Sequence, residues 1–394
     1  GTPARHHAER RSGQSGRDNV NSNNAATWLD RIHALDLPAR VRFMNVCGGH
    51  ERSITMAGLR RAWPVNIELI PGPGCPVCIC PEEDIFEAIQ LALNEDVILV
   101  AFGDMLRVPV NVKRCEARSL EAARARGADV RPIASPTQAA AIARDNPDQP
   151  VIFFAAGFET TTAPTAALLV EGVPDNLLVL LSGRLTWPAV ALLLDSDTPG
   201  FDALVAPGHV ATIMGPEEWE FVVRQHGIPA AVAGFNPESL LAAMYSTLRQ
   251  LIEGRRFLDN CYPELVKPGG NTTAREYLQT AMDVTDANWR GVGVIPDSGF
   301  ALNTAYRAND ARAAFSSYAD DARKRAGEMP PGCDCAKVVL GKIYPNECQL
   351  FGVACNPRHP IGPCMVSDEG ACRIWWSGGM RERATGNAQA TAGA

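Results

Sequence analysis

The sequence has no apolar run long enough to cross a membrane. Its runs, such as Val97–Phe102, have strand length and fall far short of the roughly 18 residues a spanning helix needs. It has no phosphate loop of the Gly-x-x-x-x-Gly-Lys-Ser/Thr type, so nucleotide hydrolysis is not indicated. A Cys-x-x-x-Cys-x-x-Cys run is also missing, which argues against a radical enzyme using S-adenosylmethionine. There is no excess of basic charge. The 37 Lys and Arg against 44 Asp and Glu give a net charge of −7, which argues against nucleic acid as a partner. The polar opening, Gly1–Asn24, holds no apolar centre of a secretory signal, so a cytoplasmic setting is expected.

What the sequence does hold is cysteine. In a reducing compartment, clustered cysteines serve metal or redox chemistry more often than structural disulfides. Of the 12, four lie between Cys47 and Cys80 and six between Cys333 and Cys372. Cys115 and Cys261 stand apart and read as buried small apolar residues. With 46% apolar residues in a chain of 394, two or three domains with real cores are expected.

The chain is organised around Ile70–Pro81, which places Cys75, Cys78 and Cys80 in a loop stiffened by prolines and turned by Gly72 and Gly74. Glu82, Glu83 and Asp84 then open a helix whose apolar stripe is Ile85, Phe86, Ile89 and Leu93. A thiol beside a helix start has its thiolate stabilised, with a pKa of about 3.5–7.5 in known cases, so a reactive or metal-binding dithiol is expected here. Upstream, Val41–Val46 reads as a strand ending in Cys47-Gly48-Gly49-His50-Glu51, and Ile67–Ile70 reads as the next strand. Both cysteine motifs thus follow short strands. Ligands collect beyond the carboxyl ends of strands in open α/β sheets, so Cys47 and the Cys75/Cys78 pair should rim one cleft, with Gly48 and Gly49 allowing close backbone approach to a ligand.

Strands then alternate with helices. Val97–Phe102, Val151–Ala156, Leu177–Leu181, Ala203–Ala206 and Ala231–Phe235 read as strands, and the alternation implies parallel sheets. Gly157-Phe158-Glu159-Thr160-Thr161 and Pro207-Gly208-His209-Val210 follow two of them. Glu159 suits a proton carrier, a residue beside a metal, or simply an acid at a helix start; His209 at a strand end also suits chemistry. The expected fold is α/β: two tandem parallel-sheet domains facing a cleft, 27–150 and 151–250, and a smaller C-terminal domain, 251–377, between disordered tails at 1–26 and 378–394. His6 and His7 belong to the first tail. Cys335, Cys348, Cys355 and Cys372 are separated by 12, 6 and 16 residues in a Pro/Gly-rich segment, which suits a [4Fe–4S] cluster or structural zinc.

Cys47-Gly-Gly-His50-Glu, Gly72-Pro-Gly-Cys75-Pro-Val-Cys78, Gly157-Phe-Glu159-Thr-Thr, Pro207-Gly-His209-Val and the C-terminal cysteines resemble, in order, five motifs of the HypD family of [NiFe]-hydrogenase maturation proteins. The resemblance runs from about Val41 to Trp376. It implies an assembly scaffold with redox activity, rather than a conventional turnover enzyme, for the Fe(CN)₂CO group. The implied partners are a small HypC-type chaperone, whose N-terminal cysteine shares the iron, and a HypE-type protein that delivers cyanide. It implies Cys47 and Cys78 as thiolates for the iron cargo, Cys75 as disulfide partner of Cys78, and His50 and Glu159 moving protons or holding cyanide. It also favours a [4Fe–4S] cluster on Cys335, Cys348, Cys355 and Cys372, with Cys333 a rival for Cys335 and Cys364 a spare.

Three positions depart from that pattern. Arg52 stands where the family usually has a second His, and is placed to attract an anion such as cyanide or simply to face solvent. Ala211 replaces a Ser, and Cys80 adds a thiol. The rival readings are a general thiol–disulfide oxidoreductase with an electron-transfer cluster, and a zinc protein using Cys47, Cys75, Cys78 and Cys80.

Overall fold

The structure, a computed structural model, describes residues 24–196, 200–323 and 329–381. Its strands are β1 (Val41–Asn45), β2 (Ile67–Pro71), β3 (Ile98–Phe102), β4 (Val130–Ile133), β5 (Val151–Gly157), β6 (Leu177–Arg184), β7 (Ala203–Pro207), β8 (Ala230–Ala233), β9 (Leu258–Asn260), β10 (Met282–Trp289) and β11 (Gly293–Leu302). They form a five-stranded sheet, order β2-β1-β7-β8-β9, and a six-stranded sheet, order β10-β11-β6-β5-β3-β4. The first is parallel throughout. The second is parallel from β4 to β6, with β11 and β10 added antiparallel at one edge. Every residue of β5, β6, β7 and β8 is buried, as expected of unbroken apolar strands covered by helices on both faces.

The α/β class with two largely parallel sheets agrees with the sequence reading; the division of the chain does not. β3 and β5 pair directly, so residues on both sides of 150 share one sheet, while β1 and β2 join β7, β8 and β9 in the other. The strand–helix alternation dictates parallel direction but not which neighbour each strand takes, so the two sheets are interleaved in sequence. β9, β10 and β11 likewise extend these sheets rather than beginning a third domain. Among the described residues the C-terminal segment has no separate core: Cys335, Val338, Cys364, Cys372 and Trp375 pack in one cluster with Cys78, Ile85 and Ile89.

The hairpin β10–β11 carries only a weak strand signal in the sequence. Its strands expose Val284 and Val294, so their apolar signal is diluted, and the turn relies on positive φ at Gly291 and Gly293. The first helix starts at Ala25, capped by Asn24. Residues 1–23 and 382–394 of the expected tails, including His6 and His7, lie outside the described residues. Cys115 is exposed and Cys261 half-buried, unlike the buried pair expected. Among the described residues, no helix is long and apolar enough to cross a membrane.

Strand order reverses between β1 and β7 in one sheet and between β3 and β5 in the other. Crevices outside the carboxyl ends of strands at such reversals are where open α/β sheets bind ligands. The segments following β1 and β7 carry Cys47 and His209; the one following β5 carries Glu159.

Candidate functional site

Four neighbouring strand ends bring the first set of residues together: β2 leads to the cysteine loop, β1 to Cys47, β7 to His209 and β8 to Phe235. The ends of β5 and β6 face them. Cys47, Gly74, Pro76, Phe158, Thr160, Thr186, His209 and Glu369 line a cleft of about 60 Å³. Cys47 also lines a narrower cavity with Cys75, Cys78, Glu51 and Glu369. Cys47 therefore reaches both the dithiol motif and the cleft wall that carries His209.

Close backbone packing sets this geometry. A Cβ at Gly74 would lie 1.5 Å from the Val46 carbonyl oxygen, and one at Gly48 would lie 2.4 Å from the Glu369 carbonyl oxygen. A Cβ at Gly49 would meet the Phe235 ring at 2.7 Å. Gly48 and Gly49 thus admit other parts of the protein, where the sequence reading had them admit a ligand.

Cys75 and Cys78 are joined as a disulfide. Cys75 also caps the single helical turn Pro76–Ile79, its sulfur accepting the Cys78 N–H at 3.2 Å. A helix start does not by itself make a thiolate here. Cys47 caps the helix Gly48–Met56 and receives the N–H groups of Gly49 and His50, yet burial, aided by the Glu369 charge, pushes its thiol up to about 12.

His50 is fully buried behind the cleft. Its imidazole nitrogen Nε2 lies 3.1 Å from the Ala233 carbonyl, and burial pushes its pKa down to about 4. Phe235 stacks against both His50 and His209, with ring centroids 4.9 and 3.9 Å away. Burial lowers the His209 pKa as well.

Glu159 is also fully buried, and its carboxylate accepts the Thr186 N–H and the Thr186 hydroxyl, each at 2.7 Å. It reaches the cleft through Thr186. Burial outweighs these bonds and raises its pKa from 4.5 to about 7. Between those values the folded chain holds a proton that the unfolded chain has lost, so this group makes stability fall as pH rises through the window. Glu159→Gln removes that loss. Relative to the parent, the variant should gain about 3 kcal/mol between pH 4.5 and pH 7. Urea unfolding at both pH values measures it, and an unchanged difference would contradict the assignment.

Two acids that the sequence reading missed tie the C-terminal segment to the Cys47 motif. Glu51 is buried, pairs with Arg60, and accepts from Asn45 Nδ2 at 3.0 Å and Trp375 Nε1 at 2.7 Å. Glu369 stands beside Cys47, its pKa raised by burial and by Asp104 and opposed by Arg52. Asp104 in turn accepts the Ser367 hydroxyl at 2.8 Å. Arg52 is exposed, is not among the residues lining the cleft, and its charge acts on Glu369. Glu51 was legible only as an acid beside a Gly-Gly-His turn, and nothing local marked Glu369.

Cys80 is buried with its sulfur 3.5 Å from the Ser182 hydroxyl. It is not among the residues lining either Cys47 cavity, and burial pushes its pKa up to about 12. With Cys75 and Cys78 joined, the four-cysteine zinc arrangement finds no support here.

The six C-terminal cysteines gather in one region. The sulfurs of Cys333 and Cys335 are 3.3 Å apart. Cys364 touches Cys335 and Cys372, and hydrogen bonds with Cys335 and Cys364 lower the Cys372 pKa to about 6. Backbone N–H groups meet two further sulfurs: Leu350 that of Cys348, and Ile361 that of Cys355 at 3.4 Å. Gly362 lets its backbone lie directly against the sulfurs of Cys333 and Cys335, since a Cβ there would sit 2.4 and 2.5 Å from them. Soft thiols, N–H donors to sulfur and a glycine backbone against the sulfurs fit an iron–sulfur cluster. Among the described residues, no three donors stand in a ready metal-binding arrangement; several thiols contact one another instead. The Pro76–Ile79 turn packs against both Cys335–Val339 and Pro363–Met365, so the cysteine region adjoins the disulfide.

Over residues 23–379 the sequence matches the HypD family, described as Hydrogenase formation hypA family. It is 40% identical over 348 residues to the hydrogenase maturation factor HypD2 of Bradyrhizobium diazoefficiens, across 86% of this chain and 89% of that protein. It is 39% identical over 364 residues to HypD of Azotobacter vinelandii, across 90% and 94%. Against HypD of Escherichia coli the identity is 38% over 344 residues, across 85% and 88%.

Proposed function

Because this chain belongs to the HypD family of hydrogenase maturation factors, we propose that it is the scaffold on which the Fe(CN)₂CO group of a [NiFe]-hydrogenase is assembled. One observation carries the reading: Cys47 lines both the cleft with His209 and the cavity with Cys75 and Cys78. In this reading the cargo is iron, held by the thiolates of Cys47 and Cys78. Thiolates are soft donors suited to iron bearing CO and CN⁻. A HypC-type chaperone supplies a further cysteine at the cleft, and a HypE-type protein delivers cyanide. The ten unpaired cysteines among the described residues suit a reducing compartment, the cytoplasm.

Cys78 can bind iron only after the Cys75–Cys78 disulfide takes up two electrons and two protons to become two thiols. Cys47 and Cys78 then each release a proton as they ligate the metal. Desolvation disfavours charge around Cys47: it raises the pKa of the Cys47 thiol and of the Glu159 and Glu369 carboxyls and lowers that of the His50 and His209 imidazoles. Thr186 and Glu159 offer a route for protons leaving the cleft.

Cys335, Cys348, Cys355 and Cys372 would hold a [4Fe–4S] cluster, which when bound supplies one-electron transfer at the potentials such clusters span. Protein purified anaerobically should contain acid-labile sulfide and at least as much iron, any excess of iron being cargo. Cys372→Ser should lose both, while Cys364→Ser should retain them. Zinc without labile sulfide would contradict this part of the reading. A second reading, a general thiol–disulfide oxidoreductase, draws on the disulfide and its contact with the cysteine region. It differs in leaving Cys47 dispensable.

A further inference from the structure

We infer that the hollow bounded by Arg107, Arg118, Arg358 and His359 is the docking surface for an acidic one-electron carrier protein that exchanges electrons with the C-terminal cysteine site through Cys355. The inference rests on the cluster reading above and adds the partner, its entry point and the residues that receive it.

The hollow has a volume of about 340 Å³, and its wall includes Ser119, Pro360 and Ile361 beside the three arginines. One acid, Glu121, also lines it, and among the described residues no ion pair joins Arg107, Arg118 or Arg358 to a carboxylate. All three arginines are exposed. Together the three guanidinium groups give a local positive field on a chain of net charge −7, which is what steers and orients an acidic partner.

The position is as informative as the charge. Arg358 and His359 lie in the loop that runs on from Cys355, and Asn356 Oδ1 holds this loop by accepting their N–H groups at 3.0 and 3.1 Å. Arg107 pins the same loop by donating to the Pro357 carbonyl at 3.0 Å. Ile361, on the wall of the hollow, donates its N–H to the Cys355 sulfur at 3.4 Å. A protein seated here is therefore one residue from a sulfur of the cysteine site. The Cys75–Cys78 disulfide lies beyond that site, by way of the Pro76–Ile79 turn. When bound, the cluster would take one electron from the carrier in each encounter, and two such electrons with two protons would open the Cys75–Cys78 disulfide to two thiols.

The test uses the full chain, purified anaerobically, with an acidic plant-type [2Fe–2S] ferredoxin as the probe. Arg118→Glu/Arg358→Glu leaves the Arg107–Pro357 contact intact. Its iron and labile sulfide should match the parent. Calorimetric binding of the ferredoxin at low salt should weaken about tenfold or more in the variant, and also in the parent as salt rises. Equal binding by parent and variant, or binding insensitive to salt, would overturn the inference. So would binding of inorganic phosphate in the hollow with no binding of ferredoxin, which would make it a small-anion site. A parent protein lacking iron and labile sulfide would instead overturn the cluster reading itself, and the electron route with it.

Discussion

Cys47→Ala should leave the fold standing and abolish the function. The N–H groups of Gly49 and His50 face the Cys47 sulfur without closing a full capping hydrogen bond, and the residue keeps some exposure to the cleft, so its thiol does little for stability. A change within about 1 kcal/mol is expected on urea unfolding. Loss of one of two protein thiolates to the cargo iron should cost far more than the 10–100-fold seen when a mere supporting residue of a metal site is removed, so retention of the cargo iron, as distinct from the cluster iron, should fall more than about 100-fold. Hydrogenase activity in cells relying on the variant should drop to background. If Cys47→Ala cells mature hydrogenase normally while Cys75→Ala/Cys78→Ala cells do not, the oxidoreductase reading takes over.

Gly74→Ala should have the second largest effect, through packing alone. A Cβ there would fall 1.5 Å from the Val46 carbonyl oxygen and 2.5 Å from the Cys47 Cα, both backbone atoms that cannot rotate aside. The cysteine loop must then separate from the end of β1, breaking the Gly48 N–H bond to the Gly74 carbonyl, 3.3 Å in the native chain. A loss of about 3 kcal/mol or more is expected, with Cys47 no longer placed beside Cys75 and Cys78. Gly103→Ala is the control, because its Cβ would meet nothing within 4 Å. Equal stability and equal iron retention in the two alanine variants would contradict the close-packing account.

These two residues show how far the sequence could be read. Cys47 was legible because a short apolar strand followed by Cys-Gly-Gly-His places its side chains at a sheet edge, whatever the sheet. The same logic placed the Cys75/Cys78 motif beside it, and β1 and β2 are indeed neighbours. The seating of His209 next to β1 was not legible. It depends on β7 pairing with β1 across a separation of about 160 residues, and strand pattern carries no record of partners. The same blindness produced the expected boundary at 150, where β3 and β5 in fact pair.

Glu369 and Trp375 were hidden for a related reason: each acts through a contact with the start of the chain, and their own neighbourhood in sequence reads as a surface loop and a short helix. The thiol states were missed on energetic grounds. Helix-start N–H groups do point at Cys47, as the sequence suggested for thiols so placed, but desolvation is the larger effect in this cleft.

Infrared spectroscopy of the chain purified anaerobically with its small chaperone tests the central claim most directly. The scaffold account predicts bands in the CO and CN stretching regions that are present in the parent complex and absent in Cys47→Ala. A parent complex that retains iron and labile sulfide but gives no such bands, or a Cys47→Ala complex that keeps them, would contradict it.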